Sequence, residues 1–516
     1  MNFNKKLAVA VSGAVLLMAG QVALADSTSD IVDALVGKGI LTEEEGKLIS
    51  KGHETKTKVT PVVKEKDGSF TLESANGRNS IGLTGRMHFD YRDSDIDGGD
   101  LGAGRTDDRD TASLADQFEL RRARIGIKGK FAKDFKYELV TNIPGTATVD
   151  VAYLDFAKYG QAQLRVGKFK QPFGLEELIS SNNMTFMERS YTSQTAPSKK
   201  LGIQVMGTPT TGMTYAGAIF QNNDTERDIS ADGKSSFAGR ATLNFAEIMG
   251  NKEMVMHVGL AGLDSTYAVG TSSSSQTSGS ASASTSGTIS SFRSAGRGLS
   301  NIFRGQVSGA SCVNNSYSCP SEYQAQVQQR AIGLEGIFAT GPFKLMGEYS
   351  NGDYKGTQGT NEVSYDTKTY FLEAGYFITG EKYADSYKGG VFSSFKPKNV
   401  FDLDKGSLGA IELAFRAEGF DVDDAQINGG RLQGNLSSYT SASVYNANAT
   451  NGASPTSGAK TYTAGIRWIL NPNLVIKANY AQTNLDNAYA PLDVNGIAST
   501  PVDRERLLSF RTQFMF

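Results

Sequence analysis

ERLLSFRTQFMF, residues 505–516, is a strand with two unlike faces. Read with period two, Leu508, Phe510, Thr512, Phe514 and Phe516 point one way. Ser509, Arg511 and Gln513 point the other way, with Leu507 and Met515 as apolar exceptions. One such strand fits an ordinary soluble sheet. The same pattern repeated along an exported chain is that of a transmembrane β-barrel.

The beginning of the chain reads as an export signal. Lys5 and Lys6 form a positive n-region, Leu7 to Gly20 an apolar run, and Ala23-Leu24-Ala25 a small-x-small cleavage site before Asp26. That predicts a signal peptide over 1–25, with an apolar run too short to span a bilayer. No later stretch approaches the length of a membrane helix.

Composition narrows the class. Without residues 1–25 the chain carries 50 basic residues against 54 acidic, which is no footprint for a nucleic acid. The mean hydropathy of −0.31 would suit a soluble protein. A barrel with a wet lumen hides its membrane band in the same way, because its apolar residues alternate with polar ones. Cys312 and Cys319 lie in a polar stretch of an exported chain and are expected to form a disulfide.

Residues 26–52 read as two short helices, with a capping box at Thr42 and Glu45. Residues 53–69 are polar and charged and read as a flexible linker, so 26–69 forms an N-terminal periplasmic segment. Residues 70–516 form the barrel. In its first strand Ile81, Leu83, Met87, Phe89 and Tyr91 face out, while Thr84, Arg86, His88, Asp90 and Arg92 face in. About sixteen such segments follow one another, an even number as bacterial barrels require. Short connections mostly alternate with long ones, the asymmetry of periplasmic turns and external loops. The 144–148 connection is short where a long one is due, and the 379–407 connection long where a short one is due. Long external loops are expected at 170–199, 351–366 and 265–327, among others. The Ser, Thr, Gly and Ala tract at 271–291 is expected to be mobile.

No catalytic constellation emerges, so no enzyme and no cofactor are expected. His53, His88 and His257 are scattered without metal-ligand spacing, which predicts no metal site. Basic residues fall on lumen faces instead: Arg86, Arg122, Arg124, Lys128, Lys130, Arg165, Arg240, Arg416, Arg467 and Lys477. Arginine and lysine lining a pore select anions by replacing lost hydration with charge-assisted hydrogen bonds. Glu138, Glu335, Glu373, Glu412 and Glu418 also face in, so the pattern alone leaves the preference open.

Several stretches resemble one family: FELRRARIGIKGKFAKDFKYELVTN (118–142), VDVAYLDF (149–156), LRVGKFKQPFGLEELISSNNMTFMERS (164–190), LGIQV (201–205), FLEAGYFITGE (371–381), YTAGIRWILNPNLVIKANY (462–480) and the last strand. They resemble the phosphate-selective porin O and P family. The resemblance implies a sixteen-stranded trimeric porin of the Gram-negative outer membrane, with an arginine ladder and a constriction shaped by the third external loop. On it, Arg86 in GRMHFDY matches a ladder arginine, Arg121 and Arg122 the paired arginines of the second strand, Asp150 the constriction acid, and Arg189 in FMERS a loop cation. Period two puts Arg121 on the opposite side from Arg122 unless a bulge intervenes. Two departures stand out. Phosphate-specific members carry lysine after GLE, whereas this chain has Glu177. The Ser-rich insert replaces an arginine-dense fifth loop, with only Arg293, Arg297 and Arg304 nearby.

The expectation is therefore a diffusion porin for small hydrophilic or anionic solutes, embedded in outer-membrane lipid as a homotrimer. Loop 170–199 should fold inward, because Phe173, Leu175, Leu178, Ile179 and Phe186 need a wall to pack against. The alternative is a structural or partner-binding barrel, an anchor or the sheath of a larger conduit.

Overall fold

The computed structural model describes residues 27–66, 69–98, 117–222, 235–269, 286–297, 302–308, 325–358, 361–427, 431–434, 457–489 and 502–516. The expected signal peptide, both cysteines and residues 271–285 lie outside them.

Two helices come first, α1 (Ser27–Gly37) and α2 (Glu43–Val59). The capping box opens α2: Glu45 N–H donates to Thr42 Oγ1 at 3.2 Å, and Thr42 N–H to Glu45 Oε2 at 2.9 Å. A hairpin follows, β1 (Val62–Lys66) and β2 (Ser69–Glu73). Helix and hairpin thus occupy most of 53–69, where a linker was expected. A polar, charged composition does not by itself argue against an exposed helix.

The next strands are β3 (Ser80–Gly98), β4 (Gln117–Phe131), β5 (Phe135–Asn142), β6 (Thr148–Tyr159) and β7 (Ala162–Lys170). Two one-turn helices, α3 (Leu175–Leu178) and α4 (Thr192–Thr195), interrupt the chain before β8 (Lys199–Gly207), β9 (Met213–Phe220) and β10 (Ser236–Asn244). A turn at α5 (Phe245–Ile248) leads to β11 (Met254–Val269) and then to β12 (Ser286–Phe292) and β13 (Phe303–Ser308). β14 (Ala325–Thr340), β15 (Phe343–Gln358) and β16 (Asn361–Phe377) form a meander. The small pair β17 (Tyr387–Lys388) and β18 (Val391–Phe392) precedes β19 (Ala410–Ile427), β20 (Arg431–Gly434), β21 (Ser457–Asn471), β22 (Leu474–Tyr489) and β23 (Val502–Met515).

Sixteen of these strands pair antiparallel with their sequence neighbours in one sheet. They are β3 to β11, β14 to β16, β19, and β21 to β23. β23 pairs back onto β3, from Met515↔Arg86 to Val502↔Gly98, and closes the barrel. Closure satisfies every ladder without an edge, the condition for crossing a bilayer in strands. β2 pairs with β3 lower down, Thr71↔Gly82, so the N-terminal hairpin continues the sheet beneath the last strand. No helix among the described residues is long and apolar enough to cross a membrane.

The alternation is as read. On β23, Leu508, Phe510 and Phe514 are exposed to lipid, while Ser509, Arg511 and Gln513 are buried inside. Above the membrane the pattern inverts. Asp264, Arg330, Asp353 and Lys368 face out, while Tyr354 and Tyr365 stack inside at 4.5 Å. The long loop expected at 351–366 is consequently mostly strand, because outward polarity there masked the period.

The Ser-rich insert is also more ordered than its composition suggested. From Ser286 it forms β12 and β13, joined by β20 into a three-stranded external sheet. Phe292 anchors that sheet, stacked 4.1 Å from Phe420 on the barrel wall. A few apolar residues, Ile289, Phe292, Ile302 and Phe303, hold a polar segment in place.

Candidate functional site

Loop 170–199 leaves the wall at Lys170 and re-enters it at Lys199. It turns inward at Gly174, whose φ of +83° places it in the left-handed region. A side chain there would meet Ala196 and Glu348 at 3.3 Å. Phe173, Leu175, Ile179 and Phe186 are buried, and Leu178 lines the open channel.

The loop crosses to the far wall and is hydrogen-bonded there strand by strand. Arg511 on β23 donates to Met187 O at 2.5 Å and pairs with Glu188 at 2.9 Å. Lys477 on β22 donates to Met184 O at 2.6 Å, and Arg467 on β21 to Asn183 O at 2.9 Å. Arg416 on β19 pairs with Glu176 at 3.0 Å. Glu348 on β15 accepts from Glu176 N–H at 3.0 Å. Arg416, Arg467 and Lys477 were read as lumen cations. They do face in, but they lie buried beneath the loop.

The 379–407 connection also folds inward from the opposite end. Tyr383, Phe392 and Phe395 pack with Ile179 and Met184 of the loop. Its Gly390 carbonyl accepts from Arg240 Nη2 at 2.8 Å, and its Tyr387 hydroxyl lies 2.7 Å from His257 Nδ1.

What stays open is a channel of about 770 Å³ along β3 to β10. All nine residues singled out from the sequence line it: Arg86, Arg121, Arg122, Arg124, Asp150, Arg165, Glu177, Arg189 and Arg240. Lys170 and Lys199 line it too and were missed, although both fall at the strand ends flanking the loop. The lining therefore holds nine cations against three acids, Glu138, Asp150 and Glu177.

Arg121 reaches the lumen through a bulge. His88 faces Arg122 and Phe89 faces Leu120, so Arg121 is the extra residue and turns inward. Its Nε lies 3.1 Å from Glu188 Oε1.

The acids are shared. Asp150 pairs with Arg124 at 2.9 Å and with Lys199. Glu177 lies 3.3 Å from Arg189 and 4.0 Å from Lys170, and accepts from Ser198 Oγ at 3.2 Å. Burial works to raise the Glu177 and Glu188 carboxyls. For Glu177, Arg189 and Lys170 more than offset it and lower the carboxyl; for Glu188, Arg121 and Arg511 hold it well below the usual range. Two cations keep only neutral partners. Arg86 donates to Ser181 Oγ at 2.9 Å, and Arg122 Nη1 lies 3.4 Å from His88 Nδ1. Among the described residues neither has a carboxylate within ion-pair distance.

From outside, the insert reaches this region. Arg293 and Gln194 exchange backbone and side-chain hydrogen bonds, and Arg297 Nη1 lies 3.8 Å from Glu188. Two of the three arginines near the insert thus touch loop 170–199, through Gln194 and Glu188. The Arg304 side chain lies outside the described residues.

A closed sixteen-strand barrel, greasy outside and wet inside, whose lumen is narrowed by an inward loop, is an outer-membrane porin, a channel. This chain belongs to the phosphate-selective porin O and P family, whose pattern matches residues 81–299 and 313–516. It is 27% identical to Porin O of Pseudomonas aeruginosa over 447 residues, covering 82% of this chain and 87% of that one. Among solved structures, OmpT of Vibrio cholerae gives a TM-score of 0.45 at 8% identity, covering 85% of this chain and 98% of its own. The anion-selective porin from Comamonas acidovorans gives 0.43 at 11%, covering 85% and 100%.

Proposed function

We propose that the protein is a trimeric diffusion porin for small hydrophilic solutes, in which the β3 to β10 wall confers a preference for anions. The observation that carries this reading is the lining itself: of its nine cations, Arg121, Arg165 and Arg240 are held by Glu188, Asp155 and Glu335 behind it, Arg124 and Lys199 share Asp150, Arg189 and Lys170 share Glu177, and Arg86 and Arg122 have no carboxylate within ion-pair distance among the described residues. An oxyanion shedding water there meets two guanidinium forks and the Ser180 and Ser181 hydroxyls. Membership of a phosphate-selective family supports the same sign of preference.

Glu177 tempers that preference. It stands beside Arg189 and Lys170, so the narrow part of the channel carries less net positive charge than its cation count suggests. The reading is accordingly of loose anion preference rather than tight phosphate capture. The sheath alternative gains nothing from the lumen, where loop 170–199 and the 379–407 connection fill the space a threaded partner would need.

The test is the zero-current potential of the purified protein in a planar bilayer across a potassium chloride gradient. The expected sign is that of an anion-preferring pore. A cation-selective potential defeats the preference, and a folded protein that never conducts defeats the porin reading.

A further inference from the structure

The family match begins at residue 81, and the helical unit before it contributes no residue to the channel lining described above. α1 and α2 pack antiparallel. Val32 is buried, and a side chain at Gly46 would meet Val36 at 2.6 Å and Val32 at 3.5 Å. Residues 32, 36 and 46 therefore face the partner helix, and helical spacing adds Ser50 to that stripe. Ile31, Leu35 and Ile49 each sit one position before this stripe. In an antiparallel pair that displacement falls on the same side of both helices. The outcome is an apolar face with Ile31 55% and Ile49 43% exposed.

A helix pair burying so little is marginal alone, so the face needs a cover. We propose that the cover is the same face of neighbouring copies: the α1–α2 hairpins of the three protomers form a self-association module beneath the barrels. The inference rests on the trimeric reading above.

Two observations favour a second copy of this chain. The first is the tether. Only Thr60 and Pro61 separate α2 from β1, and β2 is registered on β3 at Thr71↔Gly82, so each hairpin is held under its own barrel. Association within an assembled trimer is then effectively intramolecular. The second is charge. Because Val36 lies against Gly46, Asp33 on α1 stands level with Lys47 and Lys51 on α2, and Lys38 level with Glu43 and Glu44. α1 is thus acidic where α2 is basic, and basic where α2 is acidic. A ring in which each α1 meets the next protomer's α2 matches opposite charges at both heights and closes on itself. Within the hairpin the Glu43–Lys47 pair spans 3.9 Å with both side chains about four-fifths exposed, so those charges remain available.

The experiment uses the full chain with Cys312→Ser and Cys319→Ser. Adding Ile49→Cys should let a short bis-maleimide link protomers into dimers on denaturing gels, up to two of the three chains of each trimer, because one thiol per chain can form only one bridge. Separately, Ile31→Asp with Ile49→Asp should lower the temperature at which the trimer dissociates, with single-channel conductance unchanged. Trimers that yield no cross-link and dissociate at the parent temperature overturn the proposal. A parent protein that is monomeric and still conducts overturns the trimeric reading itself, which is a different result.

Discussion

The two halves of the lumen use the same residue types to opposite ends. Along β14 to β23 most of the buried charges are matched: Arg511 with Asp90 at 2.6 Å, Arg416 with Glu418 at 2.7 Å, Arg467 with Glu412 at 2.5 Å and Lys344 with Glu373 at 2.5 Å. Along β3 to β10 Asp150 and Glu177 each serve two cations, and Arg86 and Arg122 have no carboxylate within ion-pair distance among the described residues. The difference lies in what covers the wall. Where loop 170–199 lies on it, a buried charge is held either by an opposite charge or, as with Lys477 and Glu348, by backbone groups of the loop. Where water remains, surplus charge is tolerated and becomes available to solutes.

The largest effect is expected on the covered side. Arg511→Ala removes the two-pronged partner of Asp90, which keeps only Arg92 at 2.9 Å, and one of the cations around Glu188, and should cost about 3 kcal/mol. Loss of the heat-resistant folded band on gels measures it, and an unshifted band would mean that the pairs are dispensable. On the open side, Arg122→Ala should leave that band in place. It should move selectivity toward cations by about three- to tenfold in permeability ratio, the worth of one charge at contact distances in water. A destabilised barrel with unchanged selectivity would reverse the distinction between the halves.

Glu177→Gln should shift selectivity the other way and by less, because Arg189 and Lys170 keep backbone carbonyl partners after the acid is gone. The shift should fade between about 0.1 M and 1 M salt as the screening length falls from about 10 Å to 3 Å. Equal shifts at both would place Glu177 away from the solute path. The smallest effect is expected from replacing Cys312 and Cys319 together by serine. The barrel closes its own hydrogen bonds with or without a bridge there, so heat-resistant migration should not change.

The strands were legible because two different solvents, lipid and water, write opposite letters at alternate positions. Leu508 to Gln513 shows this residue by residue. Where the strands rise past the membrane, as in β15 and β16, both solvents are water and the writing stops. Arg121 was ambiguous for a related reason: a bulge shifts the period by one, and nothing in LRRAR marks where. The inward loop was legible from Phe173, Leu175, Ile179 and Phe186, which had no other reason to be apolar. Which arginines it would cover was not, since Arg416 and Arg122 look alike in sequence until their neighbours across the lumen are known. The order in 286–308 was hidden because Ser and Gly surround the few residues that anchor it.

The seam deserves a temporal reading. Arg511 and Asp90, joined at the closing pair of strands, stand 421 positions apart. Until they meet, β3 and β23 are bare edges of 19 and 14 residues, open to any other strand. Contacts of such separation form slowly, because the whole intervening chain must be in place first. The barrel therefore has no half-built state that is safe to leave alone, and the buried ion pair at its seam is among the last things made.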